Sequence, residues 1–309
     1  MRWEDFRQSD NVEDDRGGDG GFEVPGGGYG GRGFGIPGGG LGIGAVIVLG
    51  LVGWALGINP SVLIGGAEII SNGGSSYQQP HRPPPRSGTP SDQTGKFVAA
   101  VLGNTEDVWT GVFAASGRQY RPPHLRLFSR TEQGGCGFAS AATGPFYCPR
   151  DQRIYLDTSF FRDMQLRFRG CSGKACEFAE AYVIAHEVGH HVQNLLGTLP
   201  RVSAAQRASG SKTAANRLQV RLELQADCYA GVWAHNSNQH WRTVEPGDAE
   251  AAMQTAAAIG DDRLQRQARG YVVPDAFTHG SSAQRQRWFT IGLQEGTLSA
   301  CDTFAAASL

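Results

Sequence analysis

His186, Glu187 and His190 stand in the order His-Glu-Val-Gly-His, and that spacing points to metal-assisted hydrolysis. On a helix, positions four apart lie one turn apart on one face, so both imidazoles reach a single cation. Zn²⁺ accepts such nitrogen ligands and, where one coordination position stays open, lowers the pKa of bound water from about 15.7 to about 7. Glu187 sits beside the metal rather than on it. There its carboxylate could take the proton as the water attacks a peptide carbonyl. With 8 histidines in 309 residues, chance occurrences of the pattern number roughly 0.01. The alternative, two histidines paired with core acids, is the weaker reading, because the motif lies within an apolar stripe: Phe178, Tyr182, Ala185, Val188, Val192 and Leu195.

A hydrolytic zinc site needs a third protein ligand. The next helical segment carries Glu223 and Asp227, four apart and sharing a face in a stretch otherwise suited to burial. Two like charges buried together are costly unless a cation or donors offset them. Glu223 as the third ligand, with Asp227 accepting from a ligand imidazole N–H, satisfies both. Surface acids paired with Arg221 are the competing reading.

These residues need elements to hold them. The spacing predicts a metal helix over 175–196, a second over 214–235 and an alanine-rich third over 248–268 ending near Gly260-Asp261-Asp262. A further helix over 97–115 is interrupted at Gly103-Asn104. Residues 124–130 read as extended, and 145–157 as a hairpin broken by Pro149-Arg150-Asp151. The domain is therefore α+β, mainly helical with a small sheet.

At this point the chain resembles the bacterial neutral zinc metallopeptidases, which have a gluzincin-type site and a single membrane span. The segments that carry the resemblance are Lys96 onward, Phe146-Tyr-Cys-Pro149, Ile154-Tyr-Leu-Asp157, Ala185 to Gln193, Glu223 to Gly231, Ile259-Gly-Asp-Asp262, His279 to Arg285 and Trp288-Phe289. The resemblance implies a zincin-like fold, zinc on His186, His190 and Glu223, and Glu187 as general base. In gluzincin sites a later histidine donates to the oxyanion of the tetrahedral intermediate, which makes His279 a catalytic candidate. A local cap on the following helix explains His279 as well, and Tyr229 or Tyr271 could serve in its place. His191 faces away and reads as a core residue or a support for the site.

Net charge is −1 with no cluster of basic residues, so nothing argues for nucleic acid. Residues 17–40 hold 14 glycines in 24 positions and follow an acidic start, so residues 1–40 are expected to be a disordered arm. Residues 41–58 carry no charge and end at Asn59-Pro60. Eighteen residues on a helix span about 27 Å, enough for one membrane crossing. A signal peptide fits less well, since the run is long and starts late. Arg32 on the N-terminal side favours a cytoplasmic N-terminus. Residues 59–95, rich in Pro, Gly and Ser, read as a linker to a domain over 96–309.

All six cysteines follow the span, which suits disulfides outside the cytoplasm, in a periplasmic or extracellular domain. Proximity suggests Cys136–Cys148 and Cys171–Cys176, leaving Cys228 with Cys301, among fifteen connectivities. The sequence thus predicts a membrane-anchored zinc peptidase acting on protein or peptide, with the oligomeric state open. Two other readings remain: a non-peptidase zinc module for envelope assembly, which would close its metal with a fourth protein ligand, and hydrolysis of a non-peptide amide such as a cell-wall crosslink.

Overall fold

The computed structural model describes residues 1–16, 86–87, 90–129, 131–140, 144–166, 171 and 175–309. The expected span at 41–58, the glycine-rich stretch and most of the linker lie outside them. No helix among the described residues is long and apolar enough to cross a membrane. The described elements are mainly helical with a small mixed sheet. In chain order they are β1 (Val12–Asp14), β2 (Arg86–Ser87), α1 (Gln93–Ala115), β3 (His124–Phe128), β4 (Thr131–Gly134), β5 (Gly137–Ser140), β6 (Phe146–Cys148) and β7 (Arg153–Asp157). There follow α2 (Ser159–Leu166), α3 (Cys176–Leu195), α4 (Thr198–Arg207), α5 (Lys212–Trp241), α6 (Asp248–Ala258), α7 (Asp261–Arg269) and α8 (Ser282–Glu295).

Five strands form one sheet in the order β2-β1-β3-β7-β6, with β4 and β5 a separate hairpin. Strands β1, β3 and β7 run parallel, and β6 closes the edge antiparallel to β7. The pairing of Leu125 with Ile154 and Leu127 with Leu156 puts one apolar face toward the helices. All four side chains are buried in the main core. The opposite face carries charge, where Glu13 meets Arg153 at 3.0 Å and Arg126 at 3.8 Å.

The first 16 residues correct the expected disordered arm. They fold against the domain: Val12 pairs with Leu125, and Met1, Phe6 and Val12 are buried in the core. Their many charges looked like a solvated tail but find partners across the sheet and on α1. Arg7 bonds Glu106 at 2.7 Å, and Ser9 and Asn11 share the same carboxylate. The same segment explains the uninterrupted α1. Gly103 leaves room for the Arg7 backbone, and the Asn104 side chain accepts from Trp233 and Ser237. The folded unit joins Met1–Gly17 to Pro85–Leu309, so it starts before residue 96. We therefore expect a fragment starting at Lys96 to melt well below the full chain, because it loses the β1 pairing and three buried apolar side chains. At about 1.5–3 kcal/mol for each fully buried large side chain, the loss is comparable with half of a typical stability of about 5–15 kcal/mol; differential scanning calorimetry of both chains checks it.

The three predicted pairings, Cys136–Cys148, Cys171–Cys176 and Cys228–Cys301, are the disulfides formed. The alanine-rich helix divides into α6 and α7 at Ile259-Gly260, where Gly260 packs against Ser282, and the first two residues of α7, Asp261 and Asp262, hold residues 278–282. Asp261 accepts from the backbone of Thr278, His279 and Gly280, and Asp262 accepts from Ser282.

Candidate metal centre

Helices α3 and α5 cross closely because Gly189, inside the metal motif, sits against α5. A Cβ there would lie 3.0 Å from the Ala226 carbonyl oxygen. That approach brings Glu223 to the two histidines. Its Oε2 lies 3.3 Å from His186 Nε2 and 3.4 Å from His190 Nε2. One ligand atom from each of the three residues falls within 4.8 Å of the others.

The outer atoms of the three are already engaged. His186 Nδ1 faces Asp227 Oδ1 at 2.8 Å, and a carboxylate can only accept, so this nitrogen carries the proton. His190 Nδ1 lies 2.9 Å from Gln193 Oε1, and Glu223 Oε1 accepts from Gln219 at 2.7 Å. Two neutral imidazole lone pairs and one carboxylate oxygen therefore converge with no hydrogen between them. Such a set repels itself unless a cation sits among them, and its chemistry fits zinc. Without a metal the charges draw protons in. Burial alone would push His186 down, but Asp227 and Glu223 outweigh it and raise the imidazole to about 10. Burial likewise opposes ionisation of Glu223, yet His190 and His186 hold it well below the usual carboxylate range.

Glu187 is buried on the same helix and lies outside the converging set. Burial raises its pKa against the pull of His186 and His190 and a backbone N–H of Tyr147. Asp227 is fully buried and central to the support. It accepts from Tyr182 Oη at 2.6 Å and from Arg285 Nε and Nη2 at 2.8 Å each. Arg285 reaches it because α8 lies against α5, where Gly292 faces the Cys228 backbone with no room for a Cβ. No local spacing in the sequence assigns Tyr182 or Arg285 a role. Arg285 stands in one of the motif segments, and a cation in an apolar helix face was the available signal.

The group opens into a cleft of ≈ 600 Å³ whose lining includes Glu187, His279, Phe146, Phe160, Leu199 and Leu222. His279 stands exposed at its rim, with Nδ1 3.4 Å from Asp261 Oδ1. The partial desolvation of its ring against the cleft wall lowers its pKa, and the carboxylates of Asp261 and Glu223 more than restore it. The structure thus brings His186, Glu187, His190, Glu223 and His279 to one cleft, with Asp227 behind it. The tyrosine alternatives lie elsewhere: Tyr229 is core, packed edge-on to Trp109, and Tyr271 is exposed, neither among the residues lining this cleft. His191 is fully buried between Tyr147 Oη and the Arg121 carbonyl, and burial lowers its pKa to about 4.

Over residues 1–304 the chain matches the model of the family described as "Putative neutral zinc metallopeptidase". It belongs to that family. The uncharacterized protein YpfJ of Escherichia coli K12 is 44% identical over 306 residues, covering 98% of this chain and 99% of that one. An uncharacterized protein of Mycobacterium tuberculosis H37Rv is 45% identical over 235 residues, 72% of this chain and 75% of its own. No solved structure matches the chain. For this member of the neutral zinc metallopeptidase family, zinc is the metal that the family description names. Among the described residues the candidate centre has three protein ligands.

Proposed function

We propose that the chain is a membrane-anchored zinc endopeptidase with His186, His190 and Glu223 as ligands, and with its domain on the periplasmic or extracellular side. The observation that carries this reading is a three-ligand set, open to a cleft, with a buried carboxylate beside it that is not itself a ligand. Zinc in such a set supplies Lewis acidity and a water acidic enough to lose its proton near neutral pH.

The remaining work falls to the chain's own side chains. Glu187, its pKa raised by burial, accepts a proton near the metal and returns it to the leaving amine. His279, held at the cleft rim by Asp261, donates to the oxygen on which charge develops. Among the described residues strand β6 is an edge strand, and it lines the same cleft, so an extended substrate can add to it through backbone hydrogen bonds. Recognition by backbone suits a peptide better than a non-peptide amide. Asp227 fixes the proton of His186 on Nδ1.

The uncharged run at 41–58 supports the anchor. Three disulfides, all in residues after that run, support an oxidising compartment. The test is peptide-library profiling with the full chain in detergent. We expect internal cleavage with zinc, none after chelation, and recovery on adding zinc back. A zinc-loaded chain that cleaves nothing would contradict the peptidase reading.

A further inference from the structure

The metal centre accounts for His186, Glu187, His190, Glu223 and Asp227 but leaves two glutamines of the same helical segments without a role. Gln193 is fully buried, and Gln225 nearly so. Their amides form a directed chain. Gln225 Nε2 donates to the Cys301 carbonyl at 2.9 Å, and Gln193 Nε2 donates to the Leu222 carbonyl at 2.7 Å and to Gln225 Oε1 at 3.2 Å. Carbonyl oxygens only accept, so each amide nitrogen must face them, and each amide oxygen points the other way. Gln193 Oε1 is thereby aimed at His190 Nδ1, 2.9 Å away. An amide oxygen there requires Nδ1 to carry the hydrogen, which leaves the Nε2 lone pair facing Glu223.

The far end of this chain is anchored. Cys301 is bonded to Cys228 on α5, with Cα atoms 5.6 Å apart. Arg221 holds the carbonyls of Thr303 and Ala306, and Thr303 Oγ1 donates to the Arg221 carbonyl at 2.7 Å. The C-terminal segment therefore grips α5 at residues 221, 225 and 228, on both sides of Glu223 in sequence.

We infer that Gln193 and Gln225 are positioning residues: their relay from the Cys301 carbonyl sets the tautomer and ring orientation of His190. The disulfide-held C-terminal segment thus supports the second histidine, as Asp227 supports the first. This rests on the reading of His186, His190 and Glu223 as a metal site but requires no peptidase activity.

The test measures zinc affinity by competition with a chelating indicator, and the visible spectrum of the Co²⁺-substituted full chain, for Gln193→Met, Gln225→Met and Ser237→Ala. Ser237 is buried and hydrogen-bonded to Asn104 and Thr243, outside the relay, so its loss reports general destabilisation. We expect Gln193→Met to weaken zinc binding about 10–100-fold and to shift the cobalt bands. Gln225→Met should do both to a smaller degree, and Ser237→Ala neither. Zinc binding within about twofold of the parent and an unchanged cobalt spectrum in Gln193→Met would overturn the inference. So would an equal weakening in Ser237→Ala. If Gln193→Met does not fold, Gln225→Met decides: shifted bands support the relay, and unchanged bands overturn it. A parent chain that takes up neither metal contradicts the centre itself, and the relay with it.

Discussion

Glu187→Gln should retain about one zinc per chain while peptide turnover falls by about 10²–10⁴-fold, the range that a positioned general base contributes. Retention follows from geometry. The converging atoms belong to His186, His190 and Glu223, and Glu187 lies outside that set. An amide of the same size keeps the packing of a buried position but cannot accept the proton. The alternative role for Glu187, an acid buried for structure alone, predicts the reverse pattern: turnover preserved, and stability lowered by its loss. Parallel measurements of zinc content and kcat separate the two.

The second large effect concerns stability. Asp227→Asn removes the charge that faces Arg285, itself buried against Asp227 at 2.8 Å. Breaking a buried pair by altering one partner costs about 3–5 kcal/mol, because the remaining charge stays desolvated. The same substitution loosens His186, so zinc affinity should also drop about 10–100-fold. Arg285→Met should cost less, since Asp227 keeps Tyr182 and His186 as donors, and a double-mutant cycle should show strong coupling. The pH dependence has a definite sign. Burial opposes ionisation of Asp227, but Arg285 and His186 outweigh it and hold its pKa below the ordinary 3.8. Its contribution is therefore present above the ordinary aspartate range and lost only as pH falls through the lower folded value. Denaturant titration of the variants across pH reads all of this. Equal stability of Asp227→Asn and the parent would show that the pair is not the support described.

How much of this was legible in the sequence depended on whether the signal was local. His186, Glu187 and His190 are fixed by helical spacing, and Glu223 with Asp227 by the same rule one helix later. The β6–β7 hairpin was visible because its turn is short. The disulfides followed from proximity, two pairs being close in sequence and the third left by elimination. What escaped depends on contacts between distant segments. Strand β1 has only three residues, two of them acidic, and its pairing with β3 spans more than a hundred positions, so its composition read as a solvated tail. Asn104 looked like a helix breaker because its partners, Trp233 and Ser237, lie on α5. Tyr182 read as one more apolar stripe residue, since nothing local shows that its hydroxyl meets Asp227. The relay through Gln193 and Gln225 joins three elements, and no spacing rule reaches it.

Zinc K-edge X-ray absorption on the full chain, together with metal stoichiometry, tests the centre most directly. The account predicts one zinc with two imidazole nitrogens at about 2.0–2.1 Å, carboxylate oxygen and a further oxygen from water. A site closed by a fourth protein ligand, any sulfur scattering at about 2.3 Å, or a spectrum unchanged in Glu223→Ala would contradict it.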